Sequence, residues 1–317
     1  MDIGLSLRGK SNGADEIMSK EGLERVIDCF LREISFKKPK TETNMELRQR
    51  VEDRLKTCAV NEWMKRLQLG MNWAVSLASL GYPFASLEEQ AEISVYTLIA
   101  MTIDNITDES LPTLERFTSQ LVLGQPPEHE LLRAFPTSLS SQQRLFGKFG
   151  GDMVVKASME FFSASVLENR HNTLHTPPAA KDWPVYFHHK TGINEAYAFF
   201  CFPESIAPED EKLGLYVAAI PSLMLFIAYT TDILSFYKEN IKSDDPTSII
   251  RTYSKIHGLA LAQSLNKFKN DAVEAMENVR SVCDPVLLNY INQFSNSFIY
   301  WHLVIGRYQL EELDIYY

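Results

Sequence analysis

The sequence predicts a single all-α domain, and two observations carry that prediction. Apolar residues recur at three- and four-residue spacing along most of the chain, as they do on the buried face of a helix. Strand-like alternation bounded by hairpin turns is absent, and no repeat of about 20–50 residues is visible, so neither a β-fold nor a solenoid is expected. With 317 residues, 45% of them hydrophobic, the chain can bury a large core as one helical unit.

The elements follow from these patterns in order. The polar, glycine-containing residues 1–20 are expected to form a flexible N-terminal segment, and residues 21–317 to form the domain. An apolar stripe that starts after Glu21 predicts the first helix. Further helical patterns cover 45–57, 60–80, 87–105, 111–123, 128–135, 140–168, 184–200, 208–240, 245–252, 256–281 and 284–314. The breaks contain loop chemistry, as at Gly81-Tyr-Pro83 and Asp244-Asp-Pro246.

Charge and cysteine usage exclude several classes of protein. The net charge of -10 argues against nucleic acid or an anionic membrane as the main partner. Cys29, Cys58, Cys201 and Cys283 are widely spaced and form no C-x-x-C pair, so neither a zinc site nor a redox pair is indicated. Free thiols fit a reducing compartment, and we expect a cytoplasmic protein.

One segment has the length of a membrane span. Residues 215–234 are mostly apolar, but Pro221 interrupts the segment and Asp232 closes it. We interpret it as a core helix that is buried on all sides, and we expect no stable membrane insertion. The first ten residues lack the apolar stretch of a signal peptide.

A first acidic group ends an apolar helical pattern, in Ile103-Asp-Asn-Ile-Thr-Asp-Glu109. Asp104 and Asp108 are four residues apart and share a helix face. The C-terminal end of a helix favours cations, so two acids there are stabilised if a divalent metal lies between them. Magnesium prefers a few carboxylates together with water and phosphate oxygens. An ordinary solvated helix end is the alternative.

A second group lies in Thr231-Asp-Ile-Leu-Ser-Phe-Tyr-Lys-Glu239. Thr231, Ser235 and Glu239 lie along one helix face and offer the oxygen ligands that magnesium needs. Asp232 is their neighbour, and Lys238 could contact a phosphate. The alternative is a helix that passes from the core to the surface.

A third group, Arg307-Tyr308, lies late in a strongly apolar helical pattern. An arginine in this place can bind a phosphate through two parallel hydrogen bonds. The alternative is a surface arginine in a salt bridge with Glu311 or Glu312.

In order and spacing, these groups resemble the trichodiene synthase family, the fungal class I sesquiterpene synthases. Thr231 to Glu239 is similar to that family's second metal motif, N-D-x-x-S-x-x-K-E, in every fixed letter but the first. Asp104 to Asp108 falls where the D-D-x-x-D motif is expected. Trp301-His-Leu303 and Arg307-Tyr308 resemble the W-H-L and R-Y elements, and Phe187-His-His-Lys-Thr-Gly192 resembles the segment with the diphosphate-sensing arginine.

The resemblance covers about residues 60–314 and implies a fold and a chemistry. The fold is the class I terpenoid synthase bundle of α-helices around a central active-site cavity. The implied enzyme binds three Mg²⁺ ions and farnesyl diphosphate, ionises this substrate and cyclises the carbocation to a sesquiterpene hydrocarbon or alcohol. Family members serve fungal secondary metabolism and tend to form homodimers, although no apolar stripe in the sequence demands one.

The resemblance also implies residue roles. The implied metal ligands are Asp104, Asp108, Thr231, Ser235 and Glu239, with Asp232 beside them. Asp104, Lys238, Arg307 and Tyr308 would act in catalysis, the last three as contacts to the diphosphate, joined by His188 and Lys190. Aromatic faces can stabilise a carbocation, and the candidates for this role are Trp73, Tyr96, Phe199 and Trp301. Core packing is the alternative for each of these aromatic residues.

Three departures from the family pattern keep alternatives open. Asn105 replaces the second acid of the first motif, Thr231 replaces asparagine, and His188 stands where the sensor arginine is expected. A histidine is fully charged only near or below its usual pKa of about 6.5, although a bound diphosphate raises that pKa. His189 or Lys190 could take over the role. A catalytically altered or inactive protein that binds prenyl diphosphate, a C10 or C20 cyclase, and an all-α scaffold without a small-molecule site all remain open.

Overall fold

The computed structural model describes residues 18–40, 45–58, 64, 67–103, 111–170 and 176–317, and the regular structure of these residues is helical throughout. Their fourteen α-helices are α1 Lys20–Glu33, α2 Met45–Thr57, α3 Gln68–Gly81, α4 Leu87–Ile103, α5 Leu111–Val122, α6 Ala134–Phe146, α7 Lys148–Arg170, α8 Trp183–Thr191, α9 Asn194–Phe199, α10 Glu209–Tyr216, α11 Ile220–Phe236, α12 Ile249–His257, α13 Leu261–Val282 and α14 Pro285–Val304. Short 3₁₀ segments lie at Glu130–Arg133, Val217–Ala219 and Leu310–Glu312, and a π-helix at Tyr237–Lys242. The all-α prediction is confirmed.

Three of the predicted continuous helices are broken, and the last one ends early. The pattern over 140–168 spans α6 and α7, which part at Gly147 with a φ of +83°, where the Glu209 side chain fills the space of any Cβ. The pattern over 184–200 spans α8 and α9, which part at Ile193 with a φ of +51°. A 3₁₀ turn divides 208–240 between α10 and α11, and α14 ends at Val304 rather than near residue 314.

Helix α11 lies at the centre of the fold and packs mainly against α13 and α9. Twelve of its 17 residues are buried, on all sides of the helix. The stretch Glu209–Lys242 has the length and hydropathy of a membrane span, and half of its most apolar window is buried inside the protein. The burial of α11 agrees with its interpretation as a core helix, and the absence of membrane insertion stays a prediction.

Helix α4 is held by a buried polar group. The Glu92 carboxylate accepts hydrogen bonds from Ser138, Ser141 and Gln142, and it pairs with Arg54 at 2.6 Å. Because each carboxylate oxygen has partners, the charge is tolerated inside the protein. This group fixes the N-terminal half of α4 against α2 and α6.

All four cysteines are free thiols, which confirms the prediction from their spacing. Residues 1–17 lie outside the described residues, and the helical part begins at Lys20 behind the capping hydroxyl of Ser19. The division of the chain at residue 20 stays a prediction.

Candidate active site

The second metal motif spans the junction between α11 and the π-helix Tyr237–Lys242. Thr231 and Ser235 lie in the last turns of α11, and Glu239 lies within the π-helix. The Ser235 hydroxyl donates to the Asp232 carbonyl oxygen at 3.5 Å, and it lies near enough to the Glu239 carboxyl to lower that group's pKa. Single π-turns in helices are frequent at functional sites.

The carboxyl of Glu239 lies in a place that disfavours its ionised form. Burial raises its pKa to about 7, and the neighbouring carboxylate of Asp232 acts in the same direction against the effect of the Ser235 hydroxyl. Two close carboxylates with little solvent are stabilised by a cation between or beside them. The oxygen atoms of Thr231, Ser235 and Glu239 therefore fit a divalent metal ion.

His188 lies against the same motif. Its Nε2 is 2.9 Å from Oδ2 of Asp232, and neither atom makes a hydrogen bond within the part of the chain that the structure describes. Burial alone would lower the pKa of His188, but the Asp232 carboxylate outweighs it and the pKa is raised. The contact is thus an ion pair that brings a cationic side chain from α8 to the motif.

The two residues that could take over from His188 are placed differently. Burial lowers the pKa of His189 to about 4, so its ring is neutral at neutral pH. The ammonium group of Lys190 bonds the Glu160 carboxylate of α7 at 2.9 Å and lies 5.3 Å from the centre of the Tyr186 ring. Of the three, His188 is the one beside Asp232, and the substrate-binding role of Lys190 stays a prediction.

An open cleft of about 270 Å³ borders His188 on α8. Its wall includes the rings of Trp183 and Phe187, which stack with centres 5.2 Å apart and an interplanar angle of 10°. Other lining residues come from α12 and the loop before it, among them Thr247, Thr252 and Lys255. His188 therefore lies between the motif and a cleft that is open to solvent.

His302 contacts the motif from α14, and sequence reasoning assigned it no role. Its Nε2 is 3.2 Å from Oγ1 of Thr231, and its Nδ1 is 2.8 Å from the carbonyl oxygen of Phe298. Burial lowers the pKa of His302 to about 4, so the ring is neutral. The signal in the sequence was a polar residue inside a strongly apolar helix, directly after Trp301.

Arg307 and Tyr308 lie beyond the end of α14, not within a helix as predicted. Gly306, with a φ of +70°, follows the helix end. The Arg307 guanidinium lies 5.1 Å from the centre of the Trp73 ring, and the Tyr308 ring stacks on His302 at 4.8 Å. Glu312 pairs with Lys242. The residues of the R-Y element thus approach the motif through aromatic contacts.

The four aromatic candidates divide into two groups. Tyr96 is 0% exposed and bonds Ser158 at 2.7 Å, and Phe199 is 2% exposed, so both lie in the packed core. Trp301 donates its Nε1 hydrogen to the carbonyl of Trp73, which joins α14 to α3 beside Arg307. Contact of any of them with a substrate stays a prediction.

Asp104, Asn105 and Asp108 lie outside the described residues, directly after the buried end of α4 at Ile103. The structure therefore leaves their metal-binding role a prediction. Within the described ranges, no three His, Cys, Asp or Glu side chains form a metal cluster. The second motif instead combines one carboxylate with two hydroxyl groups.

Comparison with known proteins shows to which family the chain belongs. The family model "Trichodiene synthase (TRI5)" matches residues 41–316. The chain belongs to the trichodiene synthase family. It is 31% identical over 294 residues to an (E)-beta farnesene synthase of Metarhizium brunneum, which covers 92% of this chain and 89% of that protein. It is 30% identical to the terpene synthase BipA of Cochliobolus sativus, over 74% of this chain and 73% of that protein.

Solved structures agree on the fold. The linalool/nerolidol synthase of Streptomyces clavuligerus superposes with a TM-score of 0.58 at 12% identity, over 84% of this chain and 99% of that one. The germacradien-4-ol synthase of Streptomyces citricolor gives 0.55 at 13% identity, over 86% of this chain and 99% of that one. The predicted class I terpenoid synthase fold is confirmed, and this trichodiene synthase family member is a terpene synthase.

Proposed function

We propose that this protein is a Mg²⁺-dependent sesquiterpene synthase that ionises farnesyl diphosphate, releases diphosphate and cyclises the carbocation to a hydrocarbon or alcohol. The observation that carries the proposal is the oxygen face of Thr231, Ser235 and Glu239 beside the buried Asp232 carboxylate. Membership of the trichodiene synthase family supports the substrate.

Thr231, Ser235 and Glu239 would hold one Mg²⁺ ion, and Asp104 and Asp108 would hold the others of an expected three. Bound magnesium neutralises the charge that develops on a departing diphosphate. The chain's own cations act on the same group: His188 reaches the motif from α8, Lys238 lies within the π-helix, and Arg307 lies beyond α14. A diphosphate beside His188 raises the pKa of its ring further and keeps it charged.

The allylic cation needs surroundings that exclude water. Trp73 and Trp301 lie beside Arg307 and Tyr308, and aromatic faces there stabilise positive charge without reacting with it. These cationic side chains beside buried aromatic rings support ionisation of a diphosphate followed by carbocation chemistry.

The test is an incubation of the purified protein with Mg²⁺ and, separately, C10, C15 and C20 prenyl diphosphates. We expect terpene products from the C15 substrate by gas chromatography–mass spectrometry, with one diphosphate released for each product molecule. A Glu239→Gln variant should lower the activity about a hundredfold, and a Glu211→Gln variant, at an exposed position of α10, should keep it. If no substrate yields a terpene or releases diphosphate, the protein is the non-catalytic alternative. Products from the C10 or C20 substrate alone would show that the proposed substrate has the wrong chain length.

The similarity to an (E)-beta farnesene synthase favours a second candidate, a synthase with an acyclic product. Loss of a proton from the linear C15 cation gives an acyclic tetraene, and the ionisation step is the same. The mass spectra and retention times of the products separate the two candidates. A cyclic product supports the cyclase. An acyclic tetraene or an acyclic alcohol as the main product supports the second candidate instead.

A further inference from the structure

The imidazole ring of His302 is held on every side. Its plane stacks on Tyr308 at an angle of 20°, and its neighbours Phe298 and Trp301 meet it edge-on at 73° and 86°. The residue is 2% exposed. Packing therefore fixes one orientation of the ring, and the ring nitrogens have defined partners.

The partners of the ring nitrogens settle which of them carries the proton. Nδ1 lies 2.8 Å from the Phe298 carbonyl oxygen, which can only accept a hydrogen bond. Nδ1 must therefore donate, and in the neutral ring Nε2 has a free lone pair. That lone pair faces Oγ1 of Thr231 at 3.2 Å, so in this contact the threonine hydroxyl can act only as the donor.

The second partner of the Thr231 hydroxyl is also an acceptor. Oγ1 lies 3.2 Å from the carbonyl oxygen of Ile227, one helical turn earlier in α11. The hydroxyl has one proton and two lone pairs, and both of these neighbours compete for the proton. Because neither Ile227 nor His302 donates a hydrogen bond to this oxygen, both of its lone pairs remain available to a metal ion.

We propose that His302 is a positioning residue that, together with the Ile227 carbonyl, keeps the Thr231 hydroxyl proton on the protein side and leaves its oxygen lone pairs for a divalent cation. The inference rests on the proposed function, which supplies the cation. A hydroxyl needs such an acceptor, because its one oxygen both donates and accepts. Partners of metal ligands orient those ligands, and their loss typically lowers metal affinity by about 10- to 100-fold.

The experiment measures Mn²⁺ binding to the full-length protein by electron paramagnetic resonance, with inorganic diphosphate present and no substrate to turn over. His302→Phe keeps the stacked ring and removes the acceptor, and Thr231→Val removes the hydroxyl. We expect each variant to weaken Mn²⁺ binding at one site about tenfold, and the double variant to bind no more weakly than Thr231→Val alone. His302→Gln, whose amide oxygen can replace Nε2, should restore binding to within about threefold.

Additive losses in the double variant, or unchanged binding in His302→Phe, would overturn the positioning role. His302→Asn serves where His302→Phe does not fold, because its amide can still bond the Phe298 carbonyl but does not reach Thr231. Mn²⁺ binding that is absent in the unaltered protein would overturn the metal part of the proposed function, and this inference with it. Additivity in a protein that binds Mn²⁺ would overturn the inference alone.

Discussion

At the scale of single residues, the carboxyl of Glu239 shows how a candidate binding site lowers the stability of the fold. Burial and the Asp232 carboxylate raise its pKa to about 7 from 4.5, the value expected in an unfolded chain. The folded protein thus binds this proton more tightly than the unfolded chain does. The metal-free protein loses stability as the pH rises from 4.5 through about 7, and the loss is complete above that range.

The first prediction concerns Glu239→Gln, whose side chain cannot ionise. The difference between 4.5 and about 7 corresponds to about 3 kcal/mol, and partial exposure of the side chain reduces the expected effect to about 2 kcal/mol. Urea unfolding in the presence of a chelator should show the variant more stable than the parent at pH 8 and equal to it at pH 4.5. Turnover with Mg²⁺ should fall about a hundredfold. A variant that is less stable than the parent at pH 8 would contradict the assignment.

A second prediction concerns the pair of His188 and Asp232. The pKa of His188 is raised, so the stability from this contact is fully present below pH 6.5 and is lost as the pH rises through the raised value. At pH 6, His188→Leu leaves the buried Asp232 carboxylate without its cation and should cost about 2 kcal/mol. Lys190→Leu breaks a more exposed pair on the same helix and should cost less than about 1 kcal/mol. Urea unfolding of both variants checks this, and equal costs would show that the His188 contact is not a buried ion pair.

At the scale of the elements, the break between α6 and α7 depends on a distant residue. The Glu209 carboxylate accepts hydrogen bonds from the backbone N–H groups of Phe149 and Gly150, in the first turn of α7. Gly147, at a φ of +83°, leaves room for this side chain. A carboxylate at a helix N-terminus satisfies donors that the helix itself cannot, and it interacts favourably with the helix dipole.

The third prediction follows from this cap. Glu209→Ala leaves two N–H groups of α7 without their acceptor and should lower the free energy of unfolding by about 1–2 kcal/mol. Glu211→Ala, at an exposed position in the same first turn of α10, should change it by less than about 0.5 kcal/mol. Thermal or urea unfolding at pH 7 measures both. If Glu211→Ala proved as costly as Glu209→Ala, charge in the first turn of α10 rather than the cap would be responsible.

The elements also show how far the sequence could be interpreted. Helical periodicity predicted α2 over 45–57 and α5 over 111–123, and the structure has Met45–Thr57 and Leu111–Val122. Periodicity missed the breaks at Gly147 and Ile193. The first break depends on the side chain of Glu209, which is distant in sequence, and the second on a left-handed backbone conformation that β-branched residues rarely adopt. The motif letters located Thr231, Ser235 and Glu239, whereas the contacts from His188 and His302 depend on packing between helices far apart in sequence.

At the scale of the whole molecule, the site exists because three segments far apart in the chain meet. Helix α8 contributes His188, α11 with its π-extension contributes the oxygen face, and the end of α14 contributes His302, Arg307 and Tyr308. The chain has a net charge of -10, yet the proposed substrate is an anion. Anion binding must therefore come from local cations and metal ions, and we expect substrate affinity to depend on the site rather than on the overall charge.

The last prediction concerns acid sensitivity of the whole fold. Burial lowers the pKa of His302 from 6.5 to about 4, so the unfolded chain binds this proton more readily than the folded protein does. The contribution of the neutral ring to the free energy of unfolding is fully present above pH 6.5. It is lost as the pH falls towards 4, by up to about 3 kcal/mol. Native domains are stable by only about 5–15 kcal/mol, so protonation of one buried histidine would remove a large part of the free energy of unfolding. The His302→Gln variant cannot take up this proton. Between pH 7 and pH 4.5 the free energy of unfolding of the parent should therefore fall by about 2–3 kcal/mol more than that of the variant. Parallel pH profiles in urea unfolding would show that folding does not lower the pKa of His302.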